Sequence, residues 1–142
     1  MQRKKRSPKQ KAKDNAWDSF SIYIRTRDCL KTTGNPDEGL CCTCSRLYSI
    51  KQLQAGHFIP GRHNSVLFSE QGVHAQCFGC NGNPPYGKAG NLIQYWPFME
   101  RTYSREIIDK LIEESKQTVI YKTFQFEEIT EKYKRKTKEL LA

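Results

Sequence analysis

Two Cys-x-x-Cys pairs, Cys41 with Cys44 and Cys77 with Cys80, are the residues of this chain whose type and spacing speak most directly of chemistry. A two-residue gap lets a tight turn aim both thiolates at one ion. Two such turns complete the closed, tetrahedral four-sulfur shell that structural zinc prefers. A redox pair would need a βαβ setting that the sequence does not suggest, and disulfides suit a reducing compartment poorly. The spacing therefore predicts one structural Zn²⁺ per chain. Of the two remaining cysteines, Cys29 reads as a buried free thiol and Cys42 as a bystander inside the first turn.

Between the pairs lies Gln54-Ala55-Gly56-His57-Phe58-Ile59-Pro60, and Asn81 directly follows the second pair. The ordered set Cys41, Cys44, His57, Cys77, Cys80, Asn81 resembles HNH (ββα-metal) nucleases, and in layout the phage resolvase endonuclease VII. A closer resemblance is to the NinG/Rap recombination proteins of phage lambda type. It is carried by Ile24-Arg25 with Arg27-Asp28, by Ala55-Gly56-His57-Phe58 and by Phe68-x-Glu70. It continues through His74-x-Gln76-Cys77-x-x-Cys80-Asn81, Gly90-Asn91-Leu92 and Tyr95, and covers about residues 15–140.

The resemblance implies a structure-selective endonuclease cutting branched recombination intermediates such as Holliday junctions and D-loops. In such enzymes a histidine at a strand end is the general base, here His57, and Mg²⁺ or Mn²⁺ offsets charge developing on the phosphate. The cation's expected ligands are His74 and Asn81, with Glu70 more remote. Arg62 is expected to position the scissile phosphate, with His63 beside it as a further phosphate or solvent contact. For His74 a structural hydrogen bond is the competing reading, and for Glu70 a solvated carboxylate. Two departures stand out. Gly56 replaces the metal-binding aspartate that often precedes the histidine, and Gly72 falls where an asparagine would orient the base.

The elements that must position these residues are few. The chain has 142 residues, only 37% of them hydrophobic, and a net charge of +9. That suits one domain with a modest, metal-stapled core and an anionic partner. No apolar run spans a membrane and no leader segment is legible, so a cytoplasmic protein is expected, within the host cell if the phage resemblance holds. Residues 1–13, with Arg3, Lys4, Lys5 and Arg6, read as a basic disordered arm, either DNA-binding or merely solubilising.

Residues 14–142 read as a single domain of α+β class. It comprises an N-terminal helix starting near Asp14, a zinc-organised ββα core over about 40–91, and two C-terminal helices over about 92–142. The expected partners are branched DNA, a second copy giving two active sites for a four-way junction, and phage or host recombination proteins. The apolar faces of the last helices read either as dimer surface or as intramolecular core. The competing function is a non-catalytic zinc module that binds DNA or RNA, with Tyr86, Tyr95 and Trp96 as exposed stacking aromatics. A redox or zinc-sensing role would leave the basic charge unexplained.

Overall fold

The first helix, α1 (Pro8–Thr33), starts well before Asp14. Ser7 caps it, its hydroxyl accepting from the Gln10 amide at 3.1 Å, and Pro8 occupies the first turn, where no amide is needed. The helix stops at Gly34, whose φ of 77° suits glycine and whose amide returns to the Leu30 carbonyl. Part of the expected arm is ordered: Lys9, Lys11 and Lys13 are helical because Ser7 and Pro8 start a helix that the lysines then propagate. The computed structural model describes residues 4–142, so Arg3 lies outside it. Lys4, Lys5 and Arg6 precede the cap and are exposed, and Arg6 pairs with Asp14.

Two small antiparallel ribbons follow. β1 (Glu38–Leu40) pairs with β2 (Leu47–Ser49), and a 3₁₀ turn over Ile50–Gln52 leads into β3 (Leu53–His57). After the short α2 (Asn64–Leu67), β4 (Val73–Cys77) returns along β3 in a register running from Leu53↔Cys77 to His57↔Val73. The short α3 (Phe78–Asn81) begins directly at the end of β4.

Three further helices complete the chain: α4 (Leu92–Thr102), α5 (Arg105–Ser115) and α6 (Thr123–Leu141). The α+β class stands, but the C-terminal part has three helices where two were expected. Pro97 reads as a helix breaker, yet it lies inside α4, where the burial of Tyr95 and Met99 outweighs its cost.

α6 packs along α1. Phe126 meets Ala12 and Ala16, and Tyr133 meets Phe20, Tyr23 and Ile24. The apolar stripe of the last helix is thus intramolecular core. A second cluster joins Phe58 to Tyr95, Met99, Ile108 and Leu111 of α4 and α5. Of the three aromatics expected to be exposed, only Tyr86 is; Tyr95 is fully buried and Trp96 partly so.

Near its C-terminal end α1 is pinned to β4. Arg27 donates to the Glu70 and Val73 carbonyls at 2.7 and 2.9 Å and to Asp28 at 2.8 Å, while Asp28 accepts the Ala75 amide at 2.8 Å. These bonds satisfy the outer edge of a two-stranded ribbon that would otherwise leave backbone groups buried and unpaired.

Candidate functional site

The first cysteine pair sits in the turn of the β1–β2 hairpin, closed by the Cys41 amide on the Arg46 carbonyl and the Ser45 amide on the Cys41 carbonyl, both at 2.9 Å. The second pair sits where β4 becomes α3. The ribbons bring all four sulfurs within 4.8 Å of one another, with Cys44 and Cys77 at 3.8 Å. Burial would raise the Cys41 thiol. Backbone hydrogen bonds from Cys44, Cys77 and Thr43, together with the Thr43 hydroxyl, outweigh it and hold that thiol at about 6. The Asn91 amide donates to Cys80 at 3.4 Å. Burial pushes Cys44 up to about 12 and raises Cys80 as well, so the cluster favours one thiolate, at Cys41, and four cysteines so placed could hold one metal ion. Cys29 is buried in the same cluster and burial pushes its thiol up to about 11, as a free structural thiol requires.

At the other end of the ribbon from Cys77, His57 ends β3. Its ring stacks on Trp17 of α1, with centroids 5.1 Å apart and planes 18° apart. Its Nε2 lies 3.1 Å from the Leu67 carbonyl, which can only accept, so Nε2 carries the proton and Nδ1 is left as the acceptor. Leu67 ends α2, whose final carbonyls have no partner within the helix. Nδ1 makes no hydrogen bond to any described residue. Burial lowers the His57 pKa to about 4, Leu67 opposing and Arg62 adding to the shift, so the imidazole is neutral at pH 7.

His57 lines an open cleft of about 520 Å³ together with Gln54, Arg62, Phe78 and Asn81. Arg62 adopts a left-handed φ of 48° and its guanidinium lies 4.5 Å over the Trp17 ring. It also borders an adjoining polar depression shared with Trp17, Ser21, Arg25 and Asn81. Asn81 is oriented by donation from Nδ2 to Gln54 Oε1 at 2.8 Å. The structure thus brings together His57, Arg62 and Asn81. Among the described residues no carboxylate lines this cleft or the depression beside it.

The other expected ligands lie elsewhere. His74 faces α4, as strand alternation from Val73 requires, and both of its nitrogens are taken. Tyr103 donates to Nε2 at 2.8 Å, Nδ1–H donates to the Tyr95 oxygen at 3.1 Å, and Tyr95 donates to the Gly56 carbonyl at 2.8 Å. Burial lowers its pKa to about 3. This satisfied neutral histidine has no lone pair left for a metal, and the structural reading replaces the ligand reading.

Glu70 accepts from Tyr23, Tyr133 and Lys136 at 3.0, 3.1 and 2.7 Å. It ties α1 to α6, and the Leu67 carbonyl holds the His57 ring instead. His63 is exposed and caps α2 through its backbone.

Three contributors to the cleft escape a reading of the sequence. Trp17 passes for ordinary core, the Leu67 carbonyl leaves no side-chain signal, and Gln54 is one residue of an alternating strand. Gln76 is a fourth surprise: fully buried, it donates from Nε2 to the Gly90 carbonyl at 2.9 Å and to Thr43 at 3.2 Å. Its place within a strand buried along its whole length would have marked a polar side chain there as unusual.

Searches of curated proteins and of solved structures return no match. A family model described as the bacteriophage lambda NinG protein matches residues 1–142.

Proposed function

The chain belongs to the bacteriophage lambda NinG family, and we propose that it is a metal-dependent HNH-type endonuclease that cleaves branched DNA. The observation that carries this reading is the state of His57. It is a neutral imidazole with its tautomer set by a backbone carbonyl, its Nδ1 has no partner among the described residues, and His57 lines a cleft that also holds Arg62 and Asn81. In this reading Nδ1 takes a proton from the attacking water, Leu67 and Trp17 hold the ring in place, and Arg62 binds the scissile phosphate. The phosphate anion offsets the cost of forming imidazolium beside the Arg62 guanidinium.

The four-thiol cluster fits Zn²⁺ by donor softness and number, with a structural role. Asn81 Oδ1 is a neutral hard oxygen suited to Mg²⁺ or Mn²⁺, which when bound would stabilise negative charge on the phosphate oxygens. With no carboxylate on the cleft lining, the substrate phosphate must contribute the negative charge that holds such an ion. Net charge of +9 suits a polyanionic substrate.

The test compares wild-type and His57→Ala proteins, both folded and zinc-replete, on junction, duplex and single-stranded DNA with Mg²⁺ or Mn²⁺. Cleavage should fall by about 10²–10⁴-fold, with affinity nearly unchanged. Binding without cleavage by the wild type under every condition would favour the non-catalytic zinc module. Equal cleavage by His57→Ala would remove His57 as the base.

A further inference from the structure

Gln76 Oε1 is fully buried and has no hydrogen-bond partner among the described residues. Its orientation is determined from the other end of the amide: the Gly90 carbonyl can accept but not donate, so the NH₂ group must face Gly90 and Thr43 and the oxygen must face away. It faces Gly56. A Cβ at position 56 would collide with Gln76 Oε1, and the same point lies 3.0 Å from Asn81 Oδ1. The Asn81 amide is likewise held by its nitrogen, through Gln54. Two carbonyl oxygens with anchored nitrogens thus converge beside Gly56, that of Asn81 on a residue lining the His57 cleft and that of Gln76 buried behind it. Converging acceptors with no donor between them repel one another, and a buried acceptor left unmatched is costly.

We infer that Gln76 Oε1 and Asn81 Oδ1 together form the protein's site for a hard divalent cation, Gln76 reaching across Gly56 to the place where a side chain at position 56 would begin. Glycine at 56 is then required for space rather than for backbone freedom. Two neutral oxygens hold Mg²⁺ or Mn²⁺ weakly, and substrate phosphate completes the charge. This rests on the nuclease reading above and adds to it the ligand that replaces the missing carboxylate.

The probe is Mn²⁺ itself, titrated into the full-length, zinc-loaded protein and followed by loss of the free-ion electron paramagnetic resonance signal, with and without junction DNA. Asn81→Asp, on a cleft-facing side chain whose change should spare the core, should tighten Mn²⁺ binding by about tenfold or more, because a charged oxygen replaces a neutral one, and Gln76→Leu, which removes the second oxygen, should weaken it by about tenfold. Gly56→Ala, which drives Gln76 Oε1 away, should weaken it by a similar factor while one zinc per chain is retained. If Asn81→Asp tightens binding but Gly56→Ala and Gln76→Leu leave it unchanged in folded protein, Gln76 is no ligand and its orphan oxygen holds only water. The nuclease reading survives that result. If neither wild type nor Asn81→Asp binds Mn²⁺ even with DNA present, the cation site and the metal-dependent reading both fall.

Discussion

Tyr103, His74 and Tyr95 pass hydrogen bonds in one direction to the Gly56 carbonyl, and that chain has room for a single imidazole proton. Protonating His74 would put two donors, Nε2–H and the Tyr103 hydroxyl, face to face inside the fold. With folded pKa values of about 3 for His74 and about 4 for His57, against 6.5 for an unperturbed histidine, the unfolded chain takes up protons first as pH falls. The stability from these two groups is therefore complete above about pH 6.5 and is lost progressively below it. Between pH 7 and 5 each histidine should remove about 2 kcal/mol. Calorimetric melting at pH 7 and pH 5 checks this: His74→Gln should melt lower at pH 7 but lose less on acidification than wild type. An unchanged dependence would show that His74 contributes none of the acid sensitivity.

The long α1 is the element on which the site is assembled, since it supplies Trp17 under His57 and the Arg27–Asp28 clamp on β4. Arg27→Met would leave the Glu70 and Val73 carbonyls and Asp28 without their partner. Loss of about 3 kcal/mol is expected, read as a lower urea midpoint with zinc still bound. At the other end, Ser7→Ala removes the cap and should cost about 1 kcal/mol. The helical course of residues 8–13 also changes what a tail deletion measures. Removing residues 1–6 takes away the exposed Lys4, Lys5 and Arg6 and leaves the Ser7 cap, whereas removing 1–13 also shortens a helix whose Ala12 packs on Phe126. If the arm contacts phosphate, the shorter deletion alone should reduce the slope of log affinity against log salt. A slope equal to wild type assigns the arm to solubility.

At the scale of the whole molecule, the cysteine cluster joins parts that share little other core. It connects the β1–β2 hairpin to the ribbon that carries His57, with Cys29 of α1 packed against both. One zinc per chain is expected by elemental analysis. Replacing any of Cys41, Cys44, Cys77 or Cys80 with serine should unfold or aggregate the protein, because binding free energy of the metal is folding free energy in so small a domain. Well-folded protein without zinc would overturn this. Among the described residues no helix is long and apolar enough to cross a membrane. Since α6 spends its apolar face on α1, any dimer must use another surface, and changing Phe126 or Tyr133 should unfold the chain rather than dissociate it.

Some of this was legible in the residues alone because it depends on short spacing. Two Cys-x-x-Cys pairs bring sulfurs together in any backbone that can turn, and a histidine between them already marks a cleft beside the cluster. Helix faces such as Phe20 with Ile24, and Ile108 with Leu111, follow from the 3.6-residue period. The start of α1 was missed: Ser7-Pro8 carries the cap signal, but the run of lysines after it reads more readily as a disordered tail.

What the chain order does not carry is which partner meets a polar group across the fold. His74 and His57 are alike as residues. Only the packing of α4 onto β4 occupies both nitrogens of one, and only the end of α2 orients the other. Glu70 lies within reach of the site in sequence but is drawn to Lys136 and two tyrosines from helices at opposite ends of the chain. The close approach of Gln76 to Gly56 is of the same kind. An absent side chain and a buried glutamine twenty residues away become one feature only when an antiparallel register sets their strands side by side.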